Sequence, residues 1–301
     1  MSPYPFHYHR AHSLAEAVTL LSQLGEEARP LAGGQSLLPL MKLRLARPAA
    51  LVDLGFVPGL SAIVAQNGAI RFGAMVCHAA IEDSEIAARV PILHDCAAGI
   101  ADAQVRNMGT IGGSVAEADP SGDWIPVLLT LGAEVKCTGP KGERTVGIAD
   151  FVKDAYTSVL APAELVQEIV VSVPPAMSGG AYVAFKRCAP VYASASAAVQ
   201  LTLDDGKVCK DARIALGCVG LTAVVPKEAE AALRGKAITA KTVDAAADAA
   251  MAAADPQTDT RGSAEYKRVL VRALVKRAIN LAARRARGEH VEASHEYVGR
   301  A

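Results

Sequence analysis

Leu14, Ala17, Val18, Leu21 and Leu24 fall on one stripe at the spacing of an amphipathic helix. Ser13 and Glu16 form a capping box at its start, and Gly25 ends it. The run Arg29-Pro30-Leu31-Ala32 predicts a short strand that leads into Gly33-Gly34. Leu37 to Leu45 is rich in Leu and Met and reads as a helix, with Pro39 early enough for its first turn. Leu51 to Leu54 closes a βαβ-like unit. Ile63-Val64 and Ile70-Arg71-Phe72 flank Asn67-Gly68, a hairpin signal. Helical patterns follow over 78–88 and 91–101, then a second glycine pair at Gly112-Gly113, then a helix from Asp123 to Leu131. Strands are expected near 133–138 and 143–148 and from Leu165 to Val173.

Pro174-Pro175 and Ser178-Gly179-Gly180 interrupt this pattern and mark a domain boundary. Residues 1–176 make one domain, with subdomains at about 1–56 and 57–176; residues 177–288 make a second, and 289–301 a tail. The second domain begins as strands, 181–188, 195–204 and 207–218, the last two joined by Asp205-Gly206. It ends as helices over 226–234, 241–253 and 263–288. Strands followed by helices indicate an α+β layout. The last helix carries Lys267, Arg268, Arg272, Lys276, Arg277, Arg284, Arg285 and Arg287 opposite Val269, Leu270, Ala273, Leu274 and Ile279. That basic face is either solvated or a subunit contact.

Composition narrows the functional classes. Lys+Arg and Asp+Glu balance at 31 each, which argues against general affinity for nucleic acid or anionic membrane. No apolar run reaches the roughly 18 residues of a membrane span. The start, Met1 to His7, lacks the layout of a signal peptide, so a soluble cytoplasmic protein is expected. The cysteines, 77, 96, 137, 188, 209 and 218, show no C-x2-C and no iron–sulfur or zinc spacing. They read as reduced thiols, with no metal site on this chain. His7, His9 and His12, with His78 and His94 elsewhere, lack a carboxylate or Cys at ligand spacing.

The two glycine segments carry the chemistry. The first reads Leu31-Ala32-Gly33-Gly34-Gln35-Ser36. The second reads Gly109-Thr110-Ile111-Gly112-Gly113-Ser114 and runs on to Ser121-Gly122-Asp123. Paired glycines let backbone N–H groups approach a pyrophosphate closely, and a hydroxyl adds a donor. Two such segments suggest a dinucleotide held between two walls. The chain has neither a P-loop nor a G-x-G-x-x-G after a strand.

Ala32 to Lys42 and Thr110 to Ser114 closely resemble the FAD-binding medium subunit of the molybdenum hydroxylases, and carbon-monoxide dehydrogenase medium chains most of all. The likeness extends to Pro5-Phe6-x-Tyr8-x-Arg10 and Phe185-Lys186-Arg187, so it spans about residues 3–285. It implies a two-subdomain FAD fold of the vanillyl-alcohol-oxidase type, with a C-terminal antiparallel sheet and helices. Ala32, Gly33, Gly34, Gln35, Ser36 and Leu37 are then expected on one side of the pyrophosphate. Thr110, Ile111, Gly112, Gly113 and Ser114 are expected on the other. Asp123 matches a family aspartate near the flavin's ribityl group, although Asp also suits a helix N-cap there. Lys186 and Tyr192 match positions near the flavin, against the plain reading of an exposed strand lysine and a turn or core tyrosine. Two departures stand out: many relatives have His at Gln35 and Asp at Ser114. A Cβ at Gly33 or Gly112 is expected to block the phosphate and leave folded, flavin-free protein.

The resemblance further implies an oxidoreductase subunit with no catalytic residue of its own. The substrate reacts on a large molybdenum-cofactor subunit. Electrons cross two [2Fe–2S] clusters of a small subunit, reach FAD on this chain and leave to an external acceptor. A dimer of heterotrimers is implied, cytoplasmic or held at the inner face of the membrane through the complex. The resemblance implies a carbon-monoxide-dehydrogenase-type complex first; an N-heteroaromatic or aldehyde hydroxylase is the alternative within the family. Outside it stand a self-contained flavin oxidase or reductase and a non-enzymatic assembly subunit without FAD.

Overall fold

The computed structural model describes residues 2–188, 191–205 and 208–292. The tail beyond 292, and Gly206 and Lys207 of the expected turn and strand, lie outside them. The chain opens with β1 (His7–Arg10), α1 (Leu14–Leu24), β2 (Ala28–Leu31), α2 (Leu37–Lys42) and β3 (Ala50–Asp53). Among the described residues these strands form a parallel sheet in the order β1-β3-β2. Ser13 Oγ accepts from Glu16 N–H, as expected of an N-cap. The Glu16 carboxylate reaches one residue further back and accepts from His12 N–H at 2.7 Å. α1 buries Ala17, Val18 and Leu21 against Val52, Leu54, Val57 and Leu60. α2 stops at Lys42, short of the expected Leu45. Leu43 N–H turns onto Pro39 O, Arg44 takes a φ of 61°, and Leu43 and Leu45 stand exposed.

The middle unit is an antiparallel sheet with helices inserted. The hairpin β4 (Ile63–Gln66) and β5 (Ala69–Gly73) turns on Asn67 and Gly68, with φ of 54° and 73°, the primed turn their sequence demands. Then come α3 (His78–Glu82), α4 (Glu85–Arg89), α5 (Pro91–Gly99), α6 (Ala103–Met108), α7 (Ile111–Glu117) and α8 (Trp124–Leu131). The single helix expected over 78–88 is two, because Ser84 caps a new start and accepts from Ala87 N–H. After β6 (Glu134–Gly139) and β7 (Gly142–Gly147) come α9 (Ile148–Phe151), the small hairpin β8 (Val152–Asp154) and β9 (Thr157–Ser158), and β10 (Leu165–Ser172). The sheet order is β4-β5-β10-β6-β7. Phe72, Trp124, Leu128, Phe151 and Ile92 fill its core.

The last unit is the meander β11 (Ser178–Phe185), β12 (Ala195–Asp204) and β13 (Val208–Gly217), followed by α10 (Lys227–Leu233), α11 (Ala240–Ala253) and α12 (Ala264–Ala286). The buried stripe of α12 is Val271, Leu274, Val275, Ala278, Ile279 and Ala282; Val269, expected inside, is exposed. Its basic residues are largely paired within the chain. Arg272 meets Asp248 at 2.5 Å and Lys276 meets Asp244 at 2.6 Å, both on α11. Lys267 is buried on Asp259 at 2.8 Å, and Arg285 is buried on Asp95.

Candidate functional site

Parallel strands place ligands beyond their carboxyl ends. β2 ends at Leu31 and hands over to Ala32–Ser36, which runs along a cleft of about 540 Å³. That is a cofactor-sized space. The α6–α7 junction and the loop into α8 form the facing wall, and Lys186 and Tyr192 come from the C-terminal meander. Every candidate residue from the sequence lines this cleft except Ile111, which is fully buried in the core.

The two glycine segments differ in what they offer. Among the described residues, no group of the chain accepts from the N–H of Gly33, Gly34, Gln35 or Ser36. Ser36 starts α2 without a side-chain cap. Unpaired backbone donors are costly unless water or a ligand takes them, so this segment fits an anion such as a pyrophosphate. Gln35 folds back, donating from Nε2 to Gly33 O at 3.1 Å.

The second segment is no loop but the first turn of α7. Thr110 Oγ1 accepts from Gly113 N–H at 3.1 Å. The N–H groups of Ile111 and Gly112 donate to Val76 O and Ala74 O, both at 3.0 Å, and that of Ser114 to Thr110 O. This wall therefore presents the hydroxyls of Thr110 and Ser114 rather than free backbone donors. The glycines serve close packing. A Cβ on Gly112 would stand 2.5 Å from Ala74 Cβ, and one on Gly33 would stand 2.0 Å from Met108 O. The expectation that valine there spares the fold is corrected: the added carbon meets protein before it meets ligand.

Asp123 stands at the N-cap position of α8, but its side chain makes no capping hydrogen bond. Its carboxylate accepts the Tyr182 hydroxyl at 2.6 Å and pairs with Lys186 Nζ at 3.5 Å. Lys186 Nζ also donates to Gly99 O at 2.6 Å, so it is a buried, anchored cation and not an exposed strand lysine. Tyr182 N–H donates to Asp95 Oδ2, and Arg285 grips Asp95 at 2.6 and 3.0 Å. A buried chain of charges thus runs from the end of α12 to the cleft wall. Burial first, then the Asp123 charge, raises the Tyr182 hydroxyl well above its ordinary pKa and keeps it a donor.

Tyr192 is half-exposed at the cleft; burial of its hydroxyl, then the Asp119 carboxylate, raises its pKa. Burial and then Asp119 also raise Glu117. Burial pushes Cys137 and Cys209 up to about 11 and Cys218 up to about 12, which keeps these thiols protonated and unreactive. Among the described residues, no group of three His, Cys, Asp or Glu is placed to hold a metal ion. No described helix is long and apolar enough to cross a membrane. His78 also lines the cleft. In the sequence it stands out only as a candidate metal ligand, because its partner, Trp124, lies far along the chain.

Residues 4–175 match the family described as the FAD binding domain in molybdopterin dehydrogenase. Residues 180–282 match the CO dehydrogenase flavoprotein C-terminal domain. The chain belongs to the FAD-binding medium-subunit family of the molybdenum hydroxylases. It is an oxidoreductase subunit, and FAD is the cofactor its first domain is built to bind. It is 43% identical to the carbon monoxide dehydrogenase medium chain of Afipia carboxidovorans, over 95% of this chain and 100% of that one. The solved carbon monoxide dehydrogenase from Hydrogenophaga pseudoflava superposes with a TM-score of 0.91 at 43% identity, over 94% of this chain and 98% of that chain. The quinoline 2-oxidoreductase from Pseudomonas putida 86 superposes at 0.90 and 36% identity, over 95% and 99%. The free donors of Gly33–Ser36 and the cofactor-sized cleft fit a dinucleotide such as FAD.

Proposed function

We propose that this chain is the FAD-carrying electron-transfer subunit of a carbon-monoxide-dehydrogenase-type complex. The observation that carries the reading is a row of unpaired backbone donors in a cleft of a chain alike, end to end, to carbon monoxide dehydrogenase medium chains. Gly33, Gly34, Gln35 and Ser36 hold the diphosphate through their N–H groups, with Leu37 beside them and the hydroxyls of Thr110 and Ser114 opposite. Ile111, Gly112 and Gly113 set that opposite wall by packing. Lys186, fixed by Asp123 and Gly99 O, presents a buried positive charge. Tyr192 covers the open side. When bound, FAD supplies the conversion between single-electron and two-electron transfer that the side chains lack. The chain's work is to bind, orient and shield that group.

The partners of this reading are a large molybdenum-cofactor subunit and a small iron–sulfur subunit, in a dimer of heterotrimers in the cytoplasm or at the inner face of the membrane. The flavin domain covers residues 1–176, with subdomains at about 1–56 and 57–176. Residues 177–288 form the C-terminal domain and 289–301 a tail. The test is the visible spectrum of natively purified protein, with the flavin released by heat and identified. Stoichiometric FAD on this chain, reduced by CO only when both partners are present, is the expected result. A chain that takes up no FAD even with its partners refutes the reading. The likeness to quinoline 2-oxidoreductase keeps one second reading, a complex acting on N-heteroaromatic rings. Bleaching of the flavin by such a ring and not by CO decides for it.

A further inference from the structure

His78 opens α3 and is only 4% exposed. Its Nδ1 accepts the Trp124 indole N–H at 3.1 Å. Indole nitrogen can only donate, so Nδ1 carries no proton and the ring's proton sits on Nε2. Among the described residues, nothing accepts from Nε2. Yet that atom is not one of the fully buried, unpartnered side-chain atoms, which among the described residues are Ser196 Oγ and Gln200 Oε1. The edge of the ring packs on Gly109, with Nε2 2.9 Å and Cδ2 3.0 Å from the point where a Cβ on that glycine would stand. Gly109 is also where the two glycine segments meet, its Cα 2.8 Å from the point where a Cβ on Gly33 would stand. Both glycines and His78 line the cleft. A buried donor without a partner is costly, and a ligand oxygen removes that cost. Burial first, then the nearby Arg106 charge, lowers the imidazole pKa to about 4, so near neutral pH the ring is an uncharged donor.

We propose that His78 is a cofactor-contacting residue whose Nε2–H hydrogen-bonds a diphosphate oxygen of the bound dinucleotide where the two glycine segments meet. The inference rests on the FAD reading above. It adds a side-chain donor from α3 to the backbone donors of Gly33–Ser36. It also makes Trp124 a positioning residue, since its N–H fixes the tautomer that donates.

Two variants of the full-length, flavin-stripped chain separate this role from packing. His78→Asn keeps an acceptor near the Nδ1 position for Trp124 but has nothing at Nε2. His78→Gln reaches the Nε2 position with an N–H but leaves Trp124 without its acceptor. FAD and ADP, which share the diphosphate, are titrated by calorimetry, and folding is followed by thermal melting. H78N is expected to melt near wild type and to bind both ligands at least roughly tenfold more weakly, the effect of losing a hydrogen bond to a charged group. H78Q is expected to melt lower and to keep its affinity within about threefold. In wild type, the Nε2–H proton resonance is expected to shift when ADP is added. Unchanged FAD affinity in H78N, equal losses in both variants, or a loss for FAD but not for ADP overturns the proposal. A folded wild type that binds no FAD overturns the cofactor reading itself.

Discussion

Acidification should weaken this chain through one imidazole. His78 has an ordinary pKa near 6.5 when unfolded and about 4 when folded, because burial and then Arg106 disfavour its charged form. As pH falls below 6.5 the unfolded chain takes up a proton that the folded chain refuses, so stability falls; above 6.5 the contribution is fully present. The lowered folded value therefore places the loss between about pH 6.5 and 4. Each pH unit crossed in that window costs about 1.4 kcal/mol, so about 2 kcal/mol is lost by pH 5 and about 3 kcal/mol by pH 4. Urea unfolding of the flavin-stripped chain at pH 7.5, 6 and 5 measures it, with His78→Asn as the reference because asparagine does not titrate. Asp259, held down to about 2, also loses stability in acid, but it does so below the carboxylate range and equally in both proteins. Wild type should lose about 2 kcal/mol more than H78N between pH 7.5 and 5. Parallel pH profiles for the two proteins would refute the assignment of a buried neutral ring.

Arg285→Met removes a buried guanidinium from the Asp95 carboxylate beside Tyr182 N–H, and should cost about 3–5 kcal/mol in urea unfolding. A loss below about 1 kcal/mol would mean that water reaches Asp95. Gly112→Ala and Gly33→Ala force a carbon to within 2.5 Å of Ala74 Cβ and 2.0 Å of Met108 O; both should lower stability by about 1–3 kcal/mol or more, read as a lower melting temperature and soluble yield, whether or not FAD is added. Stable, soluble, flavin-free variants would restore the simpler view that these glycines only clear space for phosphate. Tyr192→Ala, at a half-exposed ring, should leave stability within about 0.5 kcal/mol but raise the fluorescence of bound flavin; unchanged emission would place Tyr192 away from the ring.

What the sequence makes legible is local. Asn67-Gly68 announces its hairpin because both residues must take positive φ, and that demand is met within the turn itself. The meander and the helices behind it follow from periods of two and 3.6 that need no distant partner. The first glycine segment is legible for the same reason, since its donors are free by virtue of what the segment lacks. The second reads as a loop because glycine is a poor helix former. Its helix starts on the Thr110 cap and on bonds to Val76 O and Ala74 O, and Ala74, at the end of the neighbouring hairpin, leaves no room for a Cβ at Gly112, a constraint no local pattern contains. Asp123 shows the same gap. Its spacing allows a helix cap or a flavin contact, yet what holds its carboxylate is Tyr182 and Lys186 from another sheet.

Adjacent arginines make the physical point sharpest. Arg284 and Arg285 share composition, helix and neighbourhood, but the first is half-exposed with Glu289 while the second is buried on Asp95. A helical pattern can assign a residue to a face; it cannot say which cation at the edge of that face will find a carboxylate from a different domain. That carboxylate decides how the site is supported. Asp95 fixes Tyr182 N–H, Tyr182 fixes Asp123, and Asp123 fixes Lys186 at the cleft, so a cation at the end of α12 bears on a charge at the cleft wall through four buried contacts. The glycine segments that line the cleft are short and local, whereas the groups that hold Lys186 beside them come from α5, the start of α8, β11 and α12. The first are therefore visible in the chain, and the second become visible only in the fold.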